Sequence, residues 1–279
     1  MDDDVTTTTL PLATIAITKR ASTRKHLWRA WKLSPRPRPK TKELKECFAF
    51  VDRTERILKR KTLIIDIAGG HGALGMAFKV HRNMVRSKKT TELKVIIGDL
   101  HCPGSYHNLK RAWLPEEEEQ GLTNVHHKMI DIRDRGWLLQ ILKSENIKPT
   151  DCGVVGCHVC NALSDEVIDE CLKAHVEFCI MGCCHGSTSQ QGILIKTSAK
   201  ELGVSLGMLV DTARFGVIAN SKGYMAKIRT IDANITPENR ILIGVYDDQN
   251  EEEKALHTAN ALKKVETVYE RVFRTQEET

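Results

Sequence analysis

The chain lacks several things, and each absence narrows its class. No apolar run approaches the roughly 20 residues that a bilayer-spanning helix needs, so a membrane span is not expected. The nine cysteines are odd in number and show no disulfide-like framework, which predicts a reducing compartment, cytoplasmic or nuclear. The opening Met-Asp-Asp-Asp suits neither a secretory signal nor an acid-poor transit peptide. There is no internal repeat, so a solenoid is not expected. Acidic residues are missing between Lys19 and Lys42, where ten Lys or Arg stand.

What is present suits one domain with a tail. At 279 residues and net charge +6 the chain can bury a full core. Residues 1–40 read as a flexible basic arm ahead of a domain over 41–279. The arm holds a threonine run, basic residues and alternating prolines at 34–39. Trp28 and Trp31 stand among Arg24, Lys25, Arg29 and Lys32, a pattern that suits RNA. The same tryptophans equally suit a cap on the domain, and the arm a solvated linker.

The stretch that organises the chain is residues 62–75, TLIIDIAGGHGALG. Leu63, Ile64 and Ile65 predict a buried strand with the acid Asp66 at its end. Gly69, Gly70, Gly72 and Gly75 follow, where glycine lets backbone turn tightly against a ligand. A helix from about residue 73 would aim free N–H groups at the same place. Residues 70–75 fit G-x-G-x-x-G, the dinucleotide fingerprint. The wider pattern is D-x-A-x-G-x-G, starting at Asp66. A carboxylate there attracts a ligand ammonium and repels a pyrophosphate.

Apolar spacing predicts helices over residues 42–61, 107–113, 163–174, 204–220 and 251–273. It predicts strands over 93–100, 124–131, 152–159, 176–184, 224–231 and 240–246. The acidic run 116–119 reads as solvated, and 185–191 as a polar loop. Ser164 is the expected N-cap of its helix, and Asp131 either caps the next helix or serves the ligand site.

The two strand ends beyond the glycine turn carry unusual residues. Cys157-His158-Val159-Cys160 runs on to Ser164-Asp165 after one, and Gly182-Cys183-Cys184-His185 follows the other. With D-x-A-x-G-x-G, these resemble class I S-adenosylmethionine (SAM) dependent methyltransferases. The branch they look like includes the eukaryotic tRNA acceptor-stem 2′-O-ribose methyltransferases and a larger set of related methyltransferase-domain proteins. Residues 211–216, 223–224 and 236–240 are also similar, and the resemblance spans about residues 62–244. Three departures stand out. Ala68 and Asn161 replace glycines, and the Cys/His zinc modules of the tRNA enzymes are absent from this sequence.

The resemblance implies an α/β, Rossmann-like fold with a seven-stranded, mostly parallel sheet closing in a β-hairpin. It implies SAM as cofactor, held by Asp66, Ala68, Gly70, Gly72, Asp99, Asp131, Ile132 and His158. Asp99 would take the ribose hydroxyls, since a carboxylate accepts two hydrogen bonds. His158, Cys160, Asp165 and His185 are the catalytic candidates. A nearby base helps an acceptor hydroxyl lose its proton, and histidine suits that task. Each also has a purely structural reading, as a satisfied strand-end or first-turn residue.

The expected activity is methylation of an RNA ribose hydroxyl. A small-molecule acceptor and a non-catalytic RNA-binding module are the alternatives. Other cysteine roles stay open: a nucleophile pair as in RNA 5-methylcytosine enzymes, or a zinc site drawn from Cys157, His158, Cys160, Cys183, Cys184 and His185. Adjacent cysteines are awkward for one tetrahedral ion, and the reading taken assigns no metal. Cys152, Cys171 and Cys179 read as core filling. No D/N-P-P-[YFW] follows the fourth strand, which disfavours amino-methylation of adenine.

Overall fold

The computed structural model describes residues 12–85, 92–185 and 190–247. The strands are β1 (Leu63–Ile67), β2 (Lys94–Asp99), β3 (Val125–Met129), β4 (Cys152–Cys157), β5 (Glu177–Met181), β6 (Tyr224–Thr230) and β7 (Arg240–Tyr246). The helices are α1 (Leu12–Leu33), α2 (Thr41–Thr54), α3 (Ala73–Val85), α4 (Gly104–Trp113), α5 (Pro115–Glu119), α6 (Trp137–Glu145), α7 (Ala162–Ala174), α8 (Gln190–Glu201) and α9 (Leu206–Asn220). The helix expected over residues 251–273 lies outside the described residues.

The strands form one sheet in the order β3-β2-β1-β4-β5-β7-β6. β1 to β5 pair in parallel, and β7 runs antiparallel to β5 and β6. This is the hairpin-closed, Rossmann-like order that the resemblance implies. Side chains alternate across a strand, and β1 is buried along its whole length. Leu63, Ile65 and Ile67 pack with α6 and α7, while Ile64 packs on the opposite face with α2 and α3. Burying each such side chain is worth about 1.5–3 kcal/mol. Among the described residues no single helix is long and apolar enough to cross a membrane.

Three expectations are corrected here. The first is the flexible arm. Residues 12–33 form α1, which packs on the domain. Thr23, Leu27 and Trp31, four residues apart, are buried, as one stripe of a helix would be. Trp31 Nε1 donates to the Pro39 carbonyl at 3.1 Å, and Trp113 Nε1 to the Leu27 carbonyl at 3.1 Å. Trp28 meets Phe48 edge-on at 5.8 Å. The tryptophans therefore cap the core. Arg24 pairs with Asp52, while Lys25, Arg29 and Lys32 stay exposed.

The second is the acidic run. Pro115–Glu119 is the short helix α5, and Glu117 is buried against the equally buried Lys79 at 3.5 Å. A buried carboxylate needs such a partner. The third is the start of α7. Ser164 donates its hydroxyl to the Val159 carbonyl instead of capping. Asn161 is the N-cap residue and makes no side-chain cap bond.

Truncating Trp31 removes a large buried ring, so Trp31→Ala should lower stability by about 3–5 kcal/mol in thermal or denaturant melts. Replacing exposed Lys25, Arg29 and Lys32 with Ala should shift it by no more than about 0.5 kcal/mol per site. Equal effects would mean that α1 does not dock.

Candidate functional site

The glycine turn between β1 and α3 is a web of backbone bonds anchored by two carboxylates. Gly75 N–H donates to Asp66 Oδ2 at 2.8 Å, and Gly70 N–H donates to Asp99 Oδ2 at 2.9 Å. Gly69 N–H reaches the Gly98 carbonyl at 3.2 Å. Asp66 lies within β1 rather than at its very end, so it sits beneath the turn.

Ala68, Gly70 and Gly72 take φ of +52°, +47° and +73°. Ala68 thus holds the left-handed backbone that glycine adopts freely. Asn161, the other departure from glycine, does the same with φ of +53°. The backbone keeps the shape that the resemblance implies, with strained residues in place of glycine.

The glycines divide into two kinds. A Cβ at Gly75 would lie 2.7 Å from both Ile97 and Val95 side chains, so this glycine brings α3 against the sheet. A Cβ at Gly72 would meet Ile97 at 3.0 Å and Tyr106 at 3.2 Å, so this position also serves packing. At Gly70 the nearest atom would be Asp99 Oδ2 at 4.0 Å. That space is open for a ligand.

The space belongs to an open cleft of about 140 Å³. Asp66, Ala68, Gly70, Cys47, Glu43 and His158 are among its lining residues. Asp66 is 1 % exposed. Burial pushes its pKa up to about 7, with the Gly75 N–H opposing and the Asp99 charge adding to the rise. It therefore holds its proton until near neutrality and can yield it to an incoming cation.

His158 stands at the end of β4, beside β1 in the sheet. Its φ is +72°, and its Nε2 lies 2.8 Å from Glu46 Oε2 of α2. Glu46 is fully buried. Burial alone would raise its pKa, but the His158 hydrogen bond and charge, Thr236 and Lys42 hold it below the usual carboxylate range. An ionised carboxylate only accepts, so His158 donates through Nε2 and its neutral form keeps Nδ1 as an acceptor.

The other expected residues fall elsewhere. Cys160 donates its thiol to the His158 carbonyl at 3.2 Å and does not line the cleft. Asp165 is held by Arg214 at 2.7 and 3.2 Å. A carboxylate so paired with a guanidinium is a poor base. The His185 side chain is 3 % exposed, with Nε2 3.0 Å from Asp211 and Nδ1 3.6 Å from Glu238. Both ring nitrogens thus face acids within a network that includes Arg214 and Arg240. Asp211 and Arg214 pair at 3.6 Å, as their three-residue spacing expects.

Asp131 does not cap α6, whose N-cap is Gly136. It is bound by Arg133, whose hydrogen bonds hold its carboxyl at about 2. Ile132 beside it is buried. Of the expected residues, the cleft gathers Asp66, Ala68, Gly70 and His158, with Asp99 bonded to Gly70.

Sequence reasoning missed Glu46, Glu43 and His71. His71 meets Ser105 and lies 3.8 Å from Glu43. The signal available for Glu46 was its position: an acid within the apolar face of a helix, where a charge requires a partner.

No family model and no curated protein matches the chain. Solved structures with a similar course include an O-methyltransferase family protein from Burkholderia thailandensis, 18% identical over 68% of this chain, with a TM-score of 0.38. This chain spans about half of that protein, 52% of its length. The TDP-rhamnose 3′-O-methyltransferase of calicheamicin biosynthesis is 12% identical, covers 63% of this chain and 84% of its own length, and has a TM-score of 0.39. The 1,6-didemethyltoxoflavin N1-methyltransferase of Burkholderia thailandensis, with bound S-adenosylhomocysteine, is 12% identical over 88% of this chain and 93% of its own, with a TM-score of 0.38. The functional reading therefore rests on the residues of the cleft.

Proposed function

We propose that the chain is a SAM-dependent methyltransferase whose cofactor lies over the glycine turn and whose acceptor is a ribose hydroxyl of RNA. The observation that carries the cofactor reading is the cleft with Asp66 at its floor and Gly70 at its rim. The buried acid under the turn favours an ammonium-bearing ligand over a pyrophosphate. Asp99 retains acceptor capacity for ribose hydroxyls beyond its bond to Gly70. When bound, SAM supplies the sulfonium methyl group. The chain's task is then to align an acceptor, exclude water and take up a proton. His158, held by ionised Glu46, suits the last of these.

For the acceptor, the basic segment around α1 and the net charge of +6 support RNA. Lys25, Arg29 and Lys32 remain exposed for phosphate contacts. The second reading, a small-molecule hydroxyl, is favoured by one observation. Trp28 and Trp31 pack in the core, so they are not free to stack on bases.

Calorimetric titration with SAM tests the cofactor. Binding is expected, and Gly70→Val should weaken it at least tenfold in protein that circular dichroism shows to be folded, since the φ of +47° at Gly70 also strains a β-branched residue there. Gly75→Val should instead fail to fold stably. Absence of heat with the folded wild-type chain removes the enzyme reading.

The pH dependence has a definite sign. Asp66 titrates near 7 in the fold against an ordinary 3.8. Binding an ammonium requires its carboxylate, so SAM affinity should rise with pH up to 7 by as much as about tenfold per unit, with proton release. Asp66→Asn should remove that slope. A wild-type affinity flat from pH 5.5 to 7 would contradict the role given to Asp66.

Once an acceptor is identified, Glu46→Gln should lower kcat about tenfold or more and move the pH profile, leaving SAM affinity within a few fold. Unchanged kcat would remove His158 and Glu46 from the chemistry.

Binding of tRNA or rRNA fragments should weaken steeply with salt. The Lys25, Arg29 and Lys32 triple-Ala variant should reduce the slope by about 2–3. Salt-insensitive binding, or none, would favour the small-molecule reading. RNA binding without SAM binding would favour a non-catalytic module.

A further inference from the structure

We propose that Cys160, Cys183 and Cys184 form a binding site for a thiophilic metal ion, with Zn²⁺ as its natural test case. The inference is independent of the methyl-transfer reading. The three sulfur atoms all lie within 4.8 Å of one another, and those of Cys183 and Cys184 are 3.5 Å apart. Three thiolates at the usual Zn–S distance of about 2.3 Å span about 3.8 Å between sulfurs in a tetrahedral site. Small rotations of the side chains would bring this set to that spacing. The adjacency of Cys183 and Cys184 is thus no obstacle, because their side chains already converge.

The site is built as well as crowded. Its ligands come from two loops, after β4 and after β5, and backbone bonds hold those loops in register. Asn161 N–H donates to the Cys184 carbonyl at 3.0 Å, and His158 N–H to the Met181 carbonyl at 2.9 Å. The other thiophilic side chains nearby are otherwise placed. Cys157 is buried in β4, His158 is bound to Glu46, and His185 to Asp211.

A cation takes the place of the thiol protons. On binding, three S–H protons leave, three sulfur–metal bonds form, and the fourth position goes to water from solvent, to which Cys184 is exposed. The ion would clasp the loop that follows His158 to the loop that follows β5.

The test uses the full chain, purified without oxygen or chelator and titrated with Zn²⁺ against a chromophoric chelator, with native mass spectrometry for stoichiometry. One ion per chain is expected, bound with submicromolar affinity. Cys160→Ser and, separately, Cys184→Ser should each weaken it at least a hundredfold, while Cys102→Ser changes nothing. Circular dichroism establishes that each variant is folded. Should Cys160→Ser not fold, exposed Cys184 carries the test. Co²⁺ in place of Zn²⁺ should give sulfur-to-metal charge-transfer absorption that falls by about a third in Cys184→Ser. Weaker than micromolar binding, affinity indifferent to both substitutions, or a disulfide among these cysteines in anaerobic protein would each overturn the proposal.

Discussion

The bond from Gly75 N–H to the Asp66 carboxylate is the constraint on which the site depends. It joins the first turn of α3 to the middle of β1, at 2.8 Å and out of water. Because Gly75 has no side chain, α3 lies close enough to the sheet for that bond to form. The same contact forces the preceding residues into a tight, partly left-handed course. The open space beside Gly70 is the product of that course. Asp66 thus has a structural bond on one oxygen while lining a cleft. A group that holds the turn together also sets the charge that a ligand meets.

A second tie brings an otherwise separate element to the cleft. α2 precedes β1 in the chain, and a helix there has no necessary place at a cofactor turn. The buried Glu46 fixes it, since an ionised group removed from water must be paired. Its partner, His158, lies on the loop after β4 with a left-handed backbone. The pair holds His158 at the cleft and sets the histidine tautomer. α1 then packs across α3 and α4, so the basic segment is part of the body of the domain.

Much of this was legible from residue pattern. The limits of β7 and the order of the strands follow from apolar spacing, and the glycine turn from its own composition; α8 (Gln190–Glu201) was not expected. The strand neighbours followed from the resemblance. What was not legible depended on long-range pairing. The position of Glu46 on an apolar helix face signals that it needs a partner, but nothing local names His158, 112 residues later. Glu117 looked solvated because its run is acidic, yet Lys79 neutralises it from α3. α1 was hidden because its stripe of Thr23, Leu27 and Trp31 is narrow and interleaved with basic residues. Ala68 and Asn161 show the converse. Residue identity departs from glycine there, but the backbone does not, because surrounding bonds outweigh a local strain of about 1–2 kcal/mol.

The same distinction separates residues that mark the fold from residues that perform chemistry. His185, Asp165, Asp211, Arg214, Glu238 and Arg240 all fall in stretches that resemble methyltransferases, and they converge on one another. Arg214 ties Asp165 of α7 to Asp211 of α9, and Arg240 of β7 joins Asp211 to Glu238. His185 fits between the two acids from the loop after β5. Groups this mutually bound, with Asp211, Arg214 and His185 buried among them, stabilise one arrangement of the chain, since removing a single member leaves a charge without its partner. Similarity at these positions is explained by the joining of α7, α9 and the terminal hairpin to the parallel strands. The chemistry of the cleft turns on fewer residues: an acid beneath a glycine turn, and a histidine whose partner comes from a helix that no motif includes.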